Sequence, residues 1–391
     1  MLIKSLLSTV RALGNTSIEV HEWKESDVRR PRLPNSPNFR TLTTKRSDLS
    51  FSGWNLAHAI VKADYLGRRN PTIPGVSFLL QSNNLIDFTK SPIELKVGAS
   101  KELNDVSLTS LSARVGQGLA ILFGHSLGLK FTAHLRSYVR SLPAGNPAAM
   151  HAGDAMADFL FADDNRTVLI ESKGTFTLQD NDPTTIKAVL KKALTAQVDP
   201  WMGHLQPSPQ NGYVVYSCLR ESSWAHSALS VVDPKSDDGK SANVPFDREN
   251  VMRENYGAWL RVMGLPLAAE RLTRQPSAVV AARFEERPVS IDFWVYEHEG
   301  RHFAVRAEPH VLFPFPFRDE FQAPFMVGID YSVLSAISAV INRTDDALID
   351  LLGHIPSQVD ARQEYVSVFP DGTVLGGLLT AKRPRLEALL L

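Results

Sequence analysis

The sequence has a single cysteine, Cys218, among 391 residues. One thiol excludes an internal disulfide and any zinc module built on several cysteines. Net charge is missing too: 42 Lys and Arg stand against 42 Asp and Glu, a formal total of zero. A balanced total excludes a histone-like coat for a polyanion. It leaves room for a local basic groove, because electrostatic steering depends on where charge sits. Long apolar runs are also scarce. No stretch approaches the roughly 18 apolar residues of a membrane span, and the longest greasy run is at 118–123. Near the N-terminus Lys4 and Arg11 flank only six residues, two of them serine. A signal peptide needs an apolar stretch of roughly 7–15 residues. An amphipathic helix is expected there instead, with no membrane contact and a cytoplasmic location by default.

Hydrophobic residues make up 43% of the chain, the usual share for a globular protein. At roughly 100–200 residues per domain, two or three domains are expected. The divisions suggested by composition are an N-terminal region at 1–104, a central core at 105–272 and a strand-rich C-terminal domain at 273–391. Residues 28–46, rich in Pro, Arg and Asn, read as a connector or exposed arm. Polar breaks fall at 233–245 and 273–277. A helix is expected at 54–65, with short strands at 76–80 and 93–97. Residues 289–296 and 302–307 alternate like paired strands around Glu299 and Gly300. A helix is expected over 331–352, and a hairpin over 365–379 turning at Asp371-Gly372. Residues 253–260 read as an amphipathic helix whose Tyr256 and Trp259 pack on the central sheet.

The informative stretch is 107–232. Apolar residues at 108, 111, 115, 119, 122 and 123 mark one face of a helix, which Leu127-Gly128 closes. Residues 129–139 look extended, and 157–161 form a short apolar strand. After an Asp163-Asp164 turn, residues 167–170 are all apolar or β-branched, the pattern of a strand buried on both faces. That strand runs directly into Glu171-Ser172-Lys173. Asp182-Pro183 opens a helix over 184–198, and 213–218 is another buried strand. The expected class is α/β (α+β), a mixed sheet flanked by helices.

Asp158 sits at one strand and Glu171 and Lys173 end the next, across a short turn. Residues i and i+2 of a strand share a face, so Glu171 and Lys173 point the same way and Asp158 can join them. Two carboxylates and the Ser172 carbonyl make a hard oxygen site suited to magnesium or manganese. Such an ion lowers the pKa of an attacking water, and Lys173 orients that water or stabilises developing negative charge.

Asp158, Glu171 and Lys173, in this order of elements, resemble the PD-(D/E)XK nuclease superfamily, the fold of restriction endonucleases. The resemblance spans about residues 107–220. It implies a restriction-endonuclease-like core and a metal-dependent nuclease hydrolysing nucleic acid, DNA rather than RNA, in bacterial restriction or phage defence. It also implies a homodimer or larger assembly. Ala157 replaces the proline that often precedes the first acid. Where the family's first helix often supplies a Glu, this chain offers Gln117. Asp154 is an additional candidate acid. The helix after the motif carries Lys187, Lys191, Lys192 and Gln197. Lys187 and Lys191 are one turn apart and are candidate nucleic-acid contacts. Arg136 and Arg140, with His134 nearby, form a second basic strip suited to phosphates.

A rival motif is Gly124-His125-Ser126-Leu127-Gly128, which resembles the nucleophile elbow of serine esterases. That elbow needs a strand before it and a helix after it. The other reading of the same residues is a helix end with Gly128 as its left-handed cap and His125 in the last turn. A third alternative is a nuclease fold that binds nucleic acid without cutting it. His298 and His302 read as surface residues beside a turn. The aromatic run at 312–317 reads as a core edge or a stacking surface for bases.

Overall fold

The computed structural model describes residues 13–35, 37–66, 85–103, 105–142, 145–164, 166–234, 248–273, 289–306, 325–342, 347–352, 366–377 and 384–391. Outside them lie the expected N-terminal helix, the strand at 76–80, most of both polar breaks and the aromatic run at 312–317. The chain divides into two units, Met1–Phe246 and Asp247–Leu391.

The first unit opens with β1 (Asn15–Trp23), α1 (Glu25–Arg29), α2 (Phe39–Leu42), β2 (Thr43–Lys45), β3 (Leu49–Ser52) and α3 (Gly53–Leu66). The pair β4 (Ile86–Asp87) and β5 (Glu94–Leu95) and the short α4 (Ala99–Glu102) lead to a long helix, α5 (Asp105–Ser126). Then come β6 (Phe131–His134), α6 (Leu135–Ser141), α7 (Pro147–Met150), β7 (Phe159–Ala162) and β8 (Thr167–Thr175). α8 (Pro183–Ala193) continues through a π-helical turn (Leu194–Val198) into α9 (Asp199–His204). β9 (Asn211–Cys218) and β10 (Ala228–Val232) complete it.

These strands make one mixed sheet in the order β2-β1-β10-β9-β8-β7-β6, with β3 paired to β1. The unit is therefore α/β. β7 and β8 form the expected antiparallel hairpin, with Phe159 opposite Ile170. β8 and β9 are parallel, Glu171 opposite Val214 and Lys173 opposite Tyr216. α8 starts where expected, the Asp182 carboxylate accepting from the N–H groups of Thr184 and Thr185, an N-cap ahead of Pro183.

Three expectations are corrected. The region 1–104 is not separate: β1 lies beside β10, Glu19 opposite Ala228. Residues 28–46 are exposed over most of their length, as expected, but they are anchored and no free connector, since Val28 and Leu42 are buried in the cluster that holds Ile186 and Leu190 of α8. Residues 129–139 are not one strand. β6 ends at His134, and Leu135, Tyr138 and Val139 are buried at helical spacing in α6. The alternation of Phe131, Ala133 and Leu135 concealed that change of period.

Helices cover both faces of β8 and β9. On one face α5 packs so closely that a Cβ added at Gly174 would lie 2.0 Å from the Ser112 carbonyl oxygen, and one at Gly116 3.0 Å from that of Lys173. On the other, Val214, Tyr216 and Cys218 pack against Ile186, Leu190 and Val198. α5 is, among the described residues, the one helix long and apolar enough to cross a membrane. Here Val115, Leu119, Ala120 and Ile121 are fully enclosed by protein.

The second unit begins with α10 (Arg248–Val262) and α11 (Pro266–Thr273), followed by β11 (Ser290–His298), β12 (Arg301–Arg306), β13 (Phe325–Asp330), α12 (Tyr331–Asn342), α13 (Leu348–Leu351), β14 (Val366–Val368), β15 (Thr373–Gly377) and β16 (Arg385–Leu390). Its sheet runs β14-β15-β13-β12-β11-β16. The expected turns at Glu299-Gly300 and Asp371-Gly372 are present, with positive φ at Glu299, Gly300 and Gly372. The helix expected over 331–352 is the two helices α12 and α13. α10 and α11, assigned from sequence to the central core, belong here. The Tyr256 hydroxyl donates to the Asp371 carbonyl at 3.0 Å, and the Trp259 indole to the Gly328 carbonyl at 2.7 Å. The two aromatics, expected on the central sheet, thus bond to strands and turns of their own unit.

The close approach of α5 to β8 makes a stability prediction. Gly174→Ala puts a methyl group against backbone, so it should cost about 1–3 kcal/mol or more by urea denaturation. Gly203→Ala, in α9 with no atom within 4 Å of the added Cβ, should be neutral or stabilise by up to about 1 kcal/mol. Equal stability of the two variants would rule out this packing.

Candidate active site

β8 is enclosed on both faces as far as Glu171, which has no solvent exposure. Strand alternation and the register with Val214 and Tyr216 put Glu171 and Lys173 on the face that carries α8 and the π-helical turn. The Lys173 ammonium donates to Glu171 Oε1. Lys173 keeps 38% side-chain exposure, so it is the member of the pair that reaches solvent.

Asp158, half-buried, immediately precedes β7. Its Oδ2 accepts from the Ser172 N–H at 3.1 Å and from the Ser172 hydroxyl at 2.6 Å. A residue's N–H and C=O point to the same side of an extended strand, so the Ser172 carbonyl also faces the end of β7. Asp158, Glu171, Ser172 and Lys173 are thus brought together as expected.

Burial pushes the Glu171 carboxyl up to about 8, and the charge of Asp158 adds to this. Lys173 and the Asp158 backbone N–H oppose the rise. Glu171 Oε2 is buried and, among the described residues, has no hydrogen-bond partner. An orphaned oxygen on a buried acid beside a second carboxylate fits a bound cation, which supplies the missing partner and the missing charge.

The approach to Asp158 is pinned from the following helix. The Gln197 amide donates to the Met156 carbonyl and the Trp201 indole to the Ala155 carbonyl, each at 2.8 Å. Gln197 belongs to the π-helical turn, a distortion often found at functional sites. Its role here is to position the loop. On the other side, the Leu135 N–H at the start of α6 donates to the Asp158 carbonyl at 3.0 Å.

Arg136 and Arg140 are exposed on α6, one turn apart. Both lie within electrostatic reach of His134, as does Asp158; burial lowers the His134 pKa, Asp158 raises it and the two arginines lower it. The basic strip therefore adjoins the acids, on a helix and not on the strand expected. His134 belongs with them more closely than sequence order implied. Its Nδ1 is buried without a hydrogen-bond partner among the described residues.

Other expected residues lie elsewhere. Gln117 follows Gly116 on α5, on the opposite face of β8 from Glu171 and Lys173. Among the described residues no hydrogen bond joins it to Asp158, Glu171 or Lys173. Lys187 is buried and donates to the Arg30 carbonyl at 2.6 Å, so it cannot share a phosphate-binding face with the half-buried Lys191. Asp154 bonds to His151 Nδ1 at 3.0 Å and not to the acids. His298 and His302 flank the β11–β12 turn.

The rival elbow is a helix end. Gly124, His125 and Ser126 lie in the last turn of α5, the Ser126 hydroxyl donates to the Phe123 carbonyl at 2.7 Å, and Gly128 has φ +85°. No strand precedes Ser126, so the serine-esterase alternative loses the geometry it requires.

No family model, no curated protein and no solved structure matches the chain.

The Glu171 carboxyl also sets a pH dependence. Without metal, the folded chain keeps this proton up to about pH 8, whereas an ordinary glutamate releases it near 4.5. The folded state binds more protons between these values, so its contribution to stability is complete below 4.5 and is lost as pH rises towards 8. Denaturation of the chelator-treated protein across this range should show that decline, and Glu171→Gln should flatten it. An unchanged slope in the variant would place the proton on another group.

Proposed function

We propose that the chain is a metal-dependent nuclease with a restriction-endonuclease-like core in its first unit, acting on DNA in preference to RNA. The observation that carries this reading is the convergence of Asp158, Glu171 and Lys173 at the end of one hairpin, with Glu171 wholly buried and one of its oxygens without a hydrogen-bond partner among the described residues. Asp158, Glu171 and the Ser172 carbonyl are the residues to hold magnesium or manganese. Bound there, the ion supplies Lewis acidity and activates water.

The protein groups account for the rest. Ser172 holds Asp158 in place through its N–H and hydroxyl. Lys173, partly exposed, is placed to hydrogen-bond an attacking water or a phosphate oxygen, where its charge offsets the negative charge that develops at phosphorus. Arg136 and Arg140 offer cations to the flanking phosphates. A nucleic-acid backbone laid along α6 would meet these arginines before it met the acids.

The test is incubation of plasmid, linear and single-stranded DNA and of RNA with manganese. Wild-type protein should cut DNA. Asp158→Ala and Lys173→Ala should each lower the rate at least about a hundredfold with unchanged thermal unfolding. Ser126→Ala should cut normally. Arg136→Ala with Arg140→Ala should weaken DNA binding and reduce its salt dependence. Binding without cutting, unaffected by Glu171→Gln, would assign the chain to the binding-only alternative, which the place of Gln117 on the helix opposite Glu171 favours.

A further inference from the structure

A second cluster of potential ligands lies on the loop that leads to Asp158. His151, Asp154 and His204 each offer a donor atom, and the three atoms lie within 4.8 Å of one another. His151 and Asp154 come from one turn, closed by the Asp154 N–H donating to the His151 carbonyl at 2.9 Å. His204 is the last residue of α9. We propose that these three residues bind a first-row transition-metal ion of the zinc type, distinct from the acids at β8, and that the ion ties the loop ahead of Asp158 to α9.

The donor set carries the choice of ion. Two imidazoles and one carboxylate suit zinc, cobalt or nickel, whereas magnesium and calcium favour oxygen ligands throughout. Three protein ligands leave a position for water, as in zinc sites that are open to solvent. Access is available: side-chain exposure is 39% for His151 and 57% for Asp154.

The two imidazoles are already in contact. They are stacked, with centroids 3.7 Å apart and planes 11° from parallel, so their in-plane lone pairs run side by side and one exposed ring turns about its Cβ–Cγ bond to bring both nitrogens to one ion. The Trp201 ring meets His204 edge-on at 5.4 Å. Trp201 also fixes the loop through its bond to the Ala155 carbonyl, beside the Gln197 bond to Met156. The loop is thus already held to the helix that carries His204. In a tetrahedral site with bonds of about 2.1 Å the donors stand about 3.4 Å apart, so a pair separated by 4.8 Å closes by about 1.4 Å on binding. His151 Nδ1 and Asp154 Oδ2 are 3.0 Å apart and share a proton; an ion held by these two atoms takes its place.

Calorimetric titration of the untagged full chain with zinc chloride tests the proposal, with cobalt absorbance as a second readout. With magnesium in excess to occupy the acids at β8, one zinc ion should bind per chain, and Glu171→Gln should bind it normally. His151→Ala and His204→Ala should each weaken binding at least about tenfold. Absence of binding by the wild type, or binding by both histidine variants as tight as the wild type's, overturns the site. If a variant does not fold, diethyl pyrocarbonate modification of the wild type answers the question: zinc should protect His151 and His204, and equal modification with and without zinc overturns the proposal. Loss of nuclease activity at Asp158 or Lys173 bears on neither result, so the two readings fail independently.

Discussion

The arrangement at the end of β8 depends on the burial of Glu171. A carboxylate without solvent exposure is expensive unless another charge or proton offsets it. The described residues offer Lys173 from the same strand face and leave one oxygen without a hydrogen-bond partner. The acid is therefore protonated near neutrality or paired with a cation. Asp158, close enough to raise its pKa further, makes the same demand stronger. An apolar strand ending in an enclosed acid is costly as scaffold and useful as a cation-binding site.

That burial is enforced by packing on both faces of β8. On one side, glycines at 116 and 174 let α5 approach to backbone contact. On the other, α8 and its π-helical continuation cover β9, while Gln197 and Trp201 hold the loop before Asp158. The same helical stretch thereby positions Asp158 and presents His204 beside His151 and Asp154. Exposed arginines on α6 complete the surroundings, since α6 starts from a hydrogen bond to Asp158 itself. A neutral net charge thus conceals acids at the strand ends and bases on the adjacent helix.

Much of this was legible locally. The β7–β8 hairpin, the Asp182 cap, the helix end at Gly128 and the hairpin turn at Asp371-Gly372 follow from period, turn chemistry and capping, which act over a few residues. The convergence of Asp158 with Glu171 and Lys173 was legible for the same reason: a short turn fixes the register of neighbouring strands. α6 was hidden because one residue, Leu135, fits both the alternation of the strand before it and the helical spacing after it. The pairing of β1 with β10 is parallel and remote in sequence, and such pairing leaves no local mark.

The sequence by itself determined which side chains share a strand face, because alternation is a property of the backbone. Tertiary structure decided which groups from other elements meet that face. Gln117 lies on α5, which Gly116 and Gly174 bring against the face of β8 opposite Glu171 and Lys173. Lys187 is occupied by the Arg30 carbonyl, 157 positions away in sequence. His204 comes to stand on His151 because Trp201 holds the intervening loop. Each of these outcomes rests on long-range packing, and residue spacing carries no information about it.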